Sequence, residues 1–271
     1  MQYICPLCAL PLTLTQRTWG CPQAHKFDMA KEGYVNLLPV QKKNSKDPGD
    51  NQQMMFARRE FLNAGYYQIL SDRVNQLALQ YASSAQQILD IGCGEGYYSH
   101  RLYNALVAHH FCYLQGVDIS KSAIKYAAKR YPNLSFCVAS AYEMPIPSNS
   151  IDLAIRIYAP SKVEELQRIM APSGILITVS PGPLHHFALK QQIYDQPRLH
   201  PESEARIDGF ECLHQERLSA QLELNDSKDI GNFLEMTPYA WKFTAEQKQA
   251  FSQSGLSCEL DFQIEVHRIS V

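Results

Sequence analysis

No apolar run in these 271 residues approaches the roughly 18 needed to cross a bilayer, which points away from a membrane protein. Net charge is nearly absent, because 25 Lys and Arg face 27 Asp and Glu, leaving −2. That balance excludes indiscriminate polyanion binding but not a local basic patch. Internal repeats and low-complexity tracts are missing, so solenoid and fibrous classes drop out. Nothing ahead of Cys5 reads as a signal peptide. Five of the eight cysteines, Cys93, Cys112, Cys137, Cys212 and Cys258, stand singly, as in a reducing compartment. A cytoplasmic protein is expected. Apolar residues make up 45% of the chain, enough for one full α/β domain and a small appendage.

The other three cysteines are not scattered. Cys5-Pro-Leu-Cys8, twelve residues, then Cys21-Pro-Gln-Ala-His25 spell C-x2-C-x12-C-x3-H. Two cysteines two residues apart reach one tetrahedral zinc from a single tight turn. Pro6 and Pro22 follow a ligand in each half and stiffen both knuckles. Few large apolar residues surround the ligands, so folding here depends on the metal. Four ligands leave no open coordination position, which makes the zinc structural. Disulfide pairing and unrelated thiols are the competing readings.

Further on, Ile88-Leu-Asp90-Ile-Gly92-Cys-Gly94-Glu-Gly96 has the form of an adenosylmethionine-binding turn. Gly92 and Gly94 allow a sharp bend and close approach of a ligand. A dinucleotide fingerprint would instead read G-x-G-x-x-G. Asp118 closes the next strand, where a carboxylate accepts hydrogen bonds from ribose hydroxyls.

The rest of the chain orders itself around that turn. Residues 1–35 form the zinc module, 36–53 a polar linker, and 54–271 the catalytic domain. Apolar spacing from Met54 to Tyr81 predicts one or two helices. Strands are expected at 87–91, 113–118, 135–139, 152–157 and 175–180, with helices at 97–106, 120–130 and 162–170. Two last antiparallel strands fall within 208–224 and 262–271, and Thr244-Ala-Glu-Gln247 reads as a capping box. Such alternation demands an α/β fold: a Rossmann-like, mostly parallel, seven-stranded sheet with helices on both faces.

These pieces resemble one family end to end. The four zinc ligands are followed by Phe27-Asp-Met-Ala-Lys-Glu-Gly-Tyr-Val-Asn-Leu-Leu-Pro39 and Asp47-Pro-Gly-Asp50. Then come Ala57-Arg-Arg-Glu-Phe-Leu62, Leu89-Asp-Ile-Gly-Cys-Gly-Glu-Gly-Tyr-Tyr98, Arg156-Ile-Tyr-Ala-Pro160 and Met236-Thr-Pro-Tyr-Ala-Trp241. Together they resemble the RlmA-type 23S rRNA guanine-N1 methyltransferases, class I enzymes that use S-adenosyl-L-methionine. The segment from Met236 to Trp241 is most similar to the branch acting on nucleotide 745, in hairpin 35. The resemblance implies zinc on Cys5, Cys8, Cys21 and His25, and cofactor contacts at Tyr67, Tyr98, Ser99 and His185. Asp90, Gly92, Gly94 and Asp118 join them from the chemistry of the turn. It also implies a homodimer around the RNA hairpin.

Guanine N1 lies on the Watson–Crick edge, so the base must be unpaired or flipped out before transfer. Tyr158 and Asp152 are the candidate catalytic residues, Tyr158 by stacking on the guanine. No residue stands out as the acceptor of the N1 proton. Candidate RNA contacts are Lys26, Lys31, Lys42, Lys43, Lys46, Arg58, Arg59 and Arg156. Deleting residues 1–35 is expected to abolish RNA methylation and spare cofactor binding. Two alternatives stay open: a small-molecule methyltransferase with a stabilising knuckle, and an RNA-binding protein with a relic cofactor fold.

Overall fold

The computed structural model describes residues 3–42, 52–202 and 206–270. A small antiparallel sheet comes first, from β1 (Tyr3–Ile4), β2 (Pro11–Thr15), β3 (Thr18–Gly20) and β4 (Lys26–Asp28). Then follow β5 (Val35–Asn36), α1 (Gln52–Asn63), α2 (Gln68–Tyr81), β6 (Gln87–Ile91), α3 (Tyr97–Val107), β7 (Tyr113–Asp118), α4 (Lys121–Arg130) and β8 (Ser135–Val138). The chain continues through β9 (Ile151–Ile157), α5 (Val163–Ile169), β10 (Met170–Pro181), α6 (Phe187–Ile193), β11 (Phe210–Leu224), α7 (Ser227–Met236), α8 (Ala245–Ser254) and β12 (Leu256–Ile269).

The main sheet runs β11-β12-β10-β9-β6-β7-β8-β5. Only β12 breaks the parallel pattern, pairing antiparallel with both β10 and β11. Central strands such as β6 are buried on both faces, which is why β6 is apolar apart from Gln87 and the site residue Asp90. Ser120 caps α4 by accepting from the Ala123 amide, and Thr244 with Gln247 closes the expected capping box on α8. No helix among the described residues is long and apolar enough to cross a membrane.

Two expectations need correction. The sheet has eight strands, because β5 adds to the edge, pairing parallel with β8 through Val35–Cys137 and Asn36–Val138. The Leu37 amide extends this edge by donating to the Val138 carbonyl (2.9 Å). Residues 36–38 therefore belong to the sheet and its core, not to a linker. The zinc module packs directly on the main sheet. Tyr3, Leu12, Val35 and Leu37 share one apolar cluster with Leu89, Ile91 and Val117 of the main sheet. The Ile4 amide also donates to the Pro145 carbonyl (3.0 Å). The predicted Asp47-Pro-Gly-Asp50 loop lies outside the described residues.

Candidate active site

Strand order reverses around β6, whose neighbours β7 and β9 lead to opposite halves of the sheet. Parallel sheets bind ligands at the carboxyl ends of strands beside such a switch point. A cavity of about 530 Å³ opens there, within the size range of cofactor sites.

Its floor is the turn after β6. Gly92 and Gly94 both hold positive φ, +74° and +55°. A Cβ on Gly92 would stand 2.3 Å from that of Ala159, so only glycine lets the two loops meet. The Gly94 amide donates to Asp118 Oδ2 (2.9 Å) and the Ser120 amide to Oδ1 (2.7 Å), which fixes the Asp118 carboxylate at the rim. Asp90 is buried beneath, accepting from Ser99 Oγ at 2.6 Å. Burial pushes the Asp90 carboxyl up to about 7, against the Ser99 bond that lowers it. Glu95 is likewise pushed to about 7 by burial, despite Arg130 at 3.5 Å.

The opposite wall is aromatic. Tyr67 precedes α2 and is buried, its hydroxyl 2.8 Å from His186 Nε2. The rings of His185 and His186 stack at 3.8 Å. The Asp261 amide donates to His185 Nδ1 (3.2 Å), so the ring hydrogen sits on Nε2, 3.5 Å from the Tyr158 hydroxyl. Burial, then His200, pulls His185 down to about 3; burial and His185 pull His186 well below its ordinary value. Both rings are neutral, and His185 presents a donor N–H rather than a base.

Tyr158 follows β9 with φ +55° and an exposed side chain. A left-handed conformation costs a non-glycine residue about 1–3 kcal/mol, and such strain gathers at functional sites. Here it turns the ring into the cavity mouth.

The cavity brings together Tyr67, Asp90, Gly92, Gly94, Tyr98, Asp118, Tyr158 and His185. Ser99 does not line it and reaches the site through Asp90. Asp152 is misplaced as a catalytic candidate. It lies at the other end of β9, six residues and about 20 Å from Tyr158 at roughly 3.3 Å per residue. Its Oδ2 accepts the amides of Gln86 and Gln87, both at 2.9 Å, and anchors the start of β6. Sequence reasoning missed Glu95, His186, His200 and Tyr239 as lining residues. Glu95 was visible inside the glycine turn; the others come from segments joined only by folding. Arg58 lines the cavity, Arg59 lies over the Phe56 ring, and Arg156 is half-buried, donating to Ser161 Oγ. Lys26 and Lys31 are exposed on the module, while Lys43 and Lys46 lie outside the described residues.

At the module, the ligand atoms of Cys5, Cys8, Cys21 and His25 lie within 4.8 Å of one another. Tetrahedral zinc with bonds of about 2.3 Å to sulfur and 2.0 Å to nitrogen separates ligands by about 3.8 and 3.5 Å. The observed values are 3.7 Å for Cys8–Cys21, and 3.5 and 3.3 Å from His25 Nδ1 to Cys5 and Cys21. A disulfide would need about 2.05 Å, and all three cysteines are free thiols. Ala9 and Ala24 take left-handed φ to close the two knuckles onto the Cys5 and Cys21 carbonyls. The donor set fits zinc.

Comparisons with known proteins match both parts of the chain. The family model of the RlmA N-terminal zinc ribbon matches residues 3–46, and a methyltransferase-domain model matches 82–237. The chain is 32% identical over 247 residues to a 23S rRNA (guanine(748)-N(1))-methyltransferase from Streptomyces fradiae, covering 88% of this chain and 85% of that one. It is 29% identical to YxjB of Bacillus subtilis strain 168, a putative 23S rRNA (guanine-N(1)-)-methyltransferase, covering 88% and 86%. A putative methyltransferase from Bacillus halodurans shares the fold at a TM-score of 0.50 and 16% identity, over 72% of this chain and 98% of that chain. With the zinc ribbon, the adenosylmethionine pocket and near full-length similarity all in one chain, the protein belongs to the RlmA-type family of S-adenosyl-L-methionine-dependent 23S rRNA (guanine-N1)-methyltransferases.

Proposed function

We propose that this enzyme methylates N1 of the guanine at nucleotide 745 in hairpin 35 of 23S rRNA, acting in the cytoplasm as a homodimer. The carrying observation is the cavity itself: a strained, exposed Tyr158 lining a pocket that also holds Asp118 and the glycine turn. S-adenosyl-L-methionine supplies the methyl group as a cationic sulfonium. Asp90, Gly94, Asp118, Tyr67, Tyr98 and His185 line the cavity and would hold it, while the zinc ligands belong to the other sheet. Tyr158 offers a face on which the flipped guanine stacks, a contact worth about 1–3 kcal/mol per base. The His185 Nε2–H, beside the Tyr158 hydroxyl, is a hydrogen-bond donor to whatever acceptor enters. The sulfur–methyl bond breaks as the N1–methyl bond forms, and the N1 proton passes to an acceptor; the leaving thioether is neutral, so orientation is the main demand.

Nucleotide 745 rests on the segment from Met236 to Trp241, whose first four residues line the cavity. The Streptomyces fradiae relative is named for 748, so the position needs its own test. Primer extension across hairpin 35 reads it, because N1 methylation blocks pairing and stops reverse transcriptase one nucleotide short. A stop reporting 745 is expected in cells with the gene and absent after deletion. A stop reporting 748 would move the target within the hairpin; no change there would remove it. A small-molecule methyltransferase would show activity indifferent to salt, whereas an RNA enzyme loses affinity steeply as salt rises.

A further inference from the structure

α4 carries Lys121, Lys125, Lys129 and Arg130 and no acidic residue, in a chain whose net charge is −2. The three lysines fall at i, i+4 and i+8 on one exposed stripe, about 6 Å apart. Ala123, Ile124, Ala127 and Ala128 bury the other side. Like charges four residues apart weaken a helix, so the stripe runs against helix stability. The helix dipole accounts for Lys129 and Arg130 in the last turn, but Lys121 sits at the positive end, where a cation is disfavoured. Among the described residues Lys121 and Lys129 have no ion-pair partner, while Lys125 meets Glu32 of the zinc module at 3.7 Å. Exposed Phe56 and Tyr126 flank the stripe, with the Arg59 guanidinium 4.7 and 5.9 Å from their rings. The helix begins at the cavity, where Ser120 and Ala123 form part of the lining.

We propose that this face of α4 docks the phosphodiester backbone of the RNA substrate, carrying it from the zinc module to the cavity mouth. The inference rests on the RNA-methylating reading above. Phosphate contacts of this kind position an RNA without reading its sequence. Aromatic rings between the cations suit unpaired bases at the hairpin end.

The test compares full-length wild type with the triple variant Lys121→Gln, Lys125→Gln, Lys129→Gln, and with the matching triple Lys→Arg. KM for the hairpin 35 RNA is measured across salt concentrations, with kcat at saturating RNA and the cofactor Kd. The Gln variant is expected to raise KM about tenfold or more and to flatten its logarithmic salt slope by about 2–3, at roughly 0.7–0.9 for each phosphate no longer neutralised. kcat and cofactor Kd stay unchanged, and the Arg variant restores the wild-type slope. An unchanged KM and slope in the Gln variant would overturn the assignment. So would a matching rise in cofactor Kd, which would trace the effect to the adjoining pocket. A wild type that binds the hairpin with a steep slope that the Gln variant lacks, yet leaves it unmethylated, would overturn the proposed target and keep the α4 surface.

Discussion

At the scale of single residues, the cavity stores carboxyl groups in an unfavourable state. Asp90 and Glu95 are each pushed up to about 7 by burial, well above their values in an unfolded chain. The native state therefore holds protons that the unfolded state releases between about pH 4 and 7. Their contribution to stability is full below about pH 4 and is lost as pH rises through about 7. Without ligand, the melting temperature should fall between pH 5 and pH 8 by an amount that Asp90→Asn reduces; an identical pH profile in the variant would refute this. A cationic cofactor favours the ionised carboxyls, so its affinity should climb with pH up to about 7 and then level off. Binding near pH 6.5 should release protons, measurable by calorimetry in buffers of different ionisation enthalpy. Tyr158 is tested differently, since the proposed role is to stack on the acceptor base. Tyr158→Ala should lower kcat by at least tenfold, about 1.4 kcal/mol, with little change in cofactor Kd. Equal loss of both would exclude the stacking role.

At the scale of elements, legibility followed range. β6 and β7 read cleanly because each is a short stretch rich in Ile, Leu and Val, buried through its centre and bounded by turn residues. The glycine turn and the capping box on α8 are local, with every partner within a few residues, and both were visible. β12 begins six residues before its expected start because Asp261 interrupts the apolar pattern. That carboxylate is almost fully buried, held by Arg217, Ser219 Oγ and the Leu184 amide, partners 42 to 77 residues away. β5 has two residues and no periodicity to read. α7 escaped notice because Gly231 dilutes a ten-residue helix, although Asp226 caps it from the Lys228 and Asp229 amides. The same rule sorts the site: Asp90, Gly92, Gly94 and Asp118 announce themselves, whereas His186, His200 and Tyr239 meet only through tertiary contacts. Asp152 failed because strand direction places it at the wrong end of the sheet.

At the scale of the molecule, the zinc ribbon and the catalytic sheet share one core, which changes what the metal does. Tyr3, Cys5 and Cys21 pack in the same cluster as Leu89, Ile91 and Val117, and β5 completes the sheet edge. Removing residues 1–35 would uncover that apolar face and take Val35 from the edge strand, so such a truncation should lose stability as well as RNA methylation. The cofactor domain is not expected to survive it untouched. Metal removal is the cleaner experiment. Structural zinc supplies its binding free energy to folding, and the left-handed Ala9 and Ala24 show a knuckle held against its own preference. Chelation, or Cys21→Ser, should therefore lower the melting temperature of the whole protein in a single transition, by about 2–4 °C per kcal/mol lost. A strong chelator that melts the ribbon in a separate early transition, leaving the main transition and cofactor Kd in place, would show two independent bodies and refute the shared core. A single shifted transition would mean that zinc, bound outside the cavity lining, sets the stability of the pocket that holds the methyl donor.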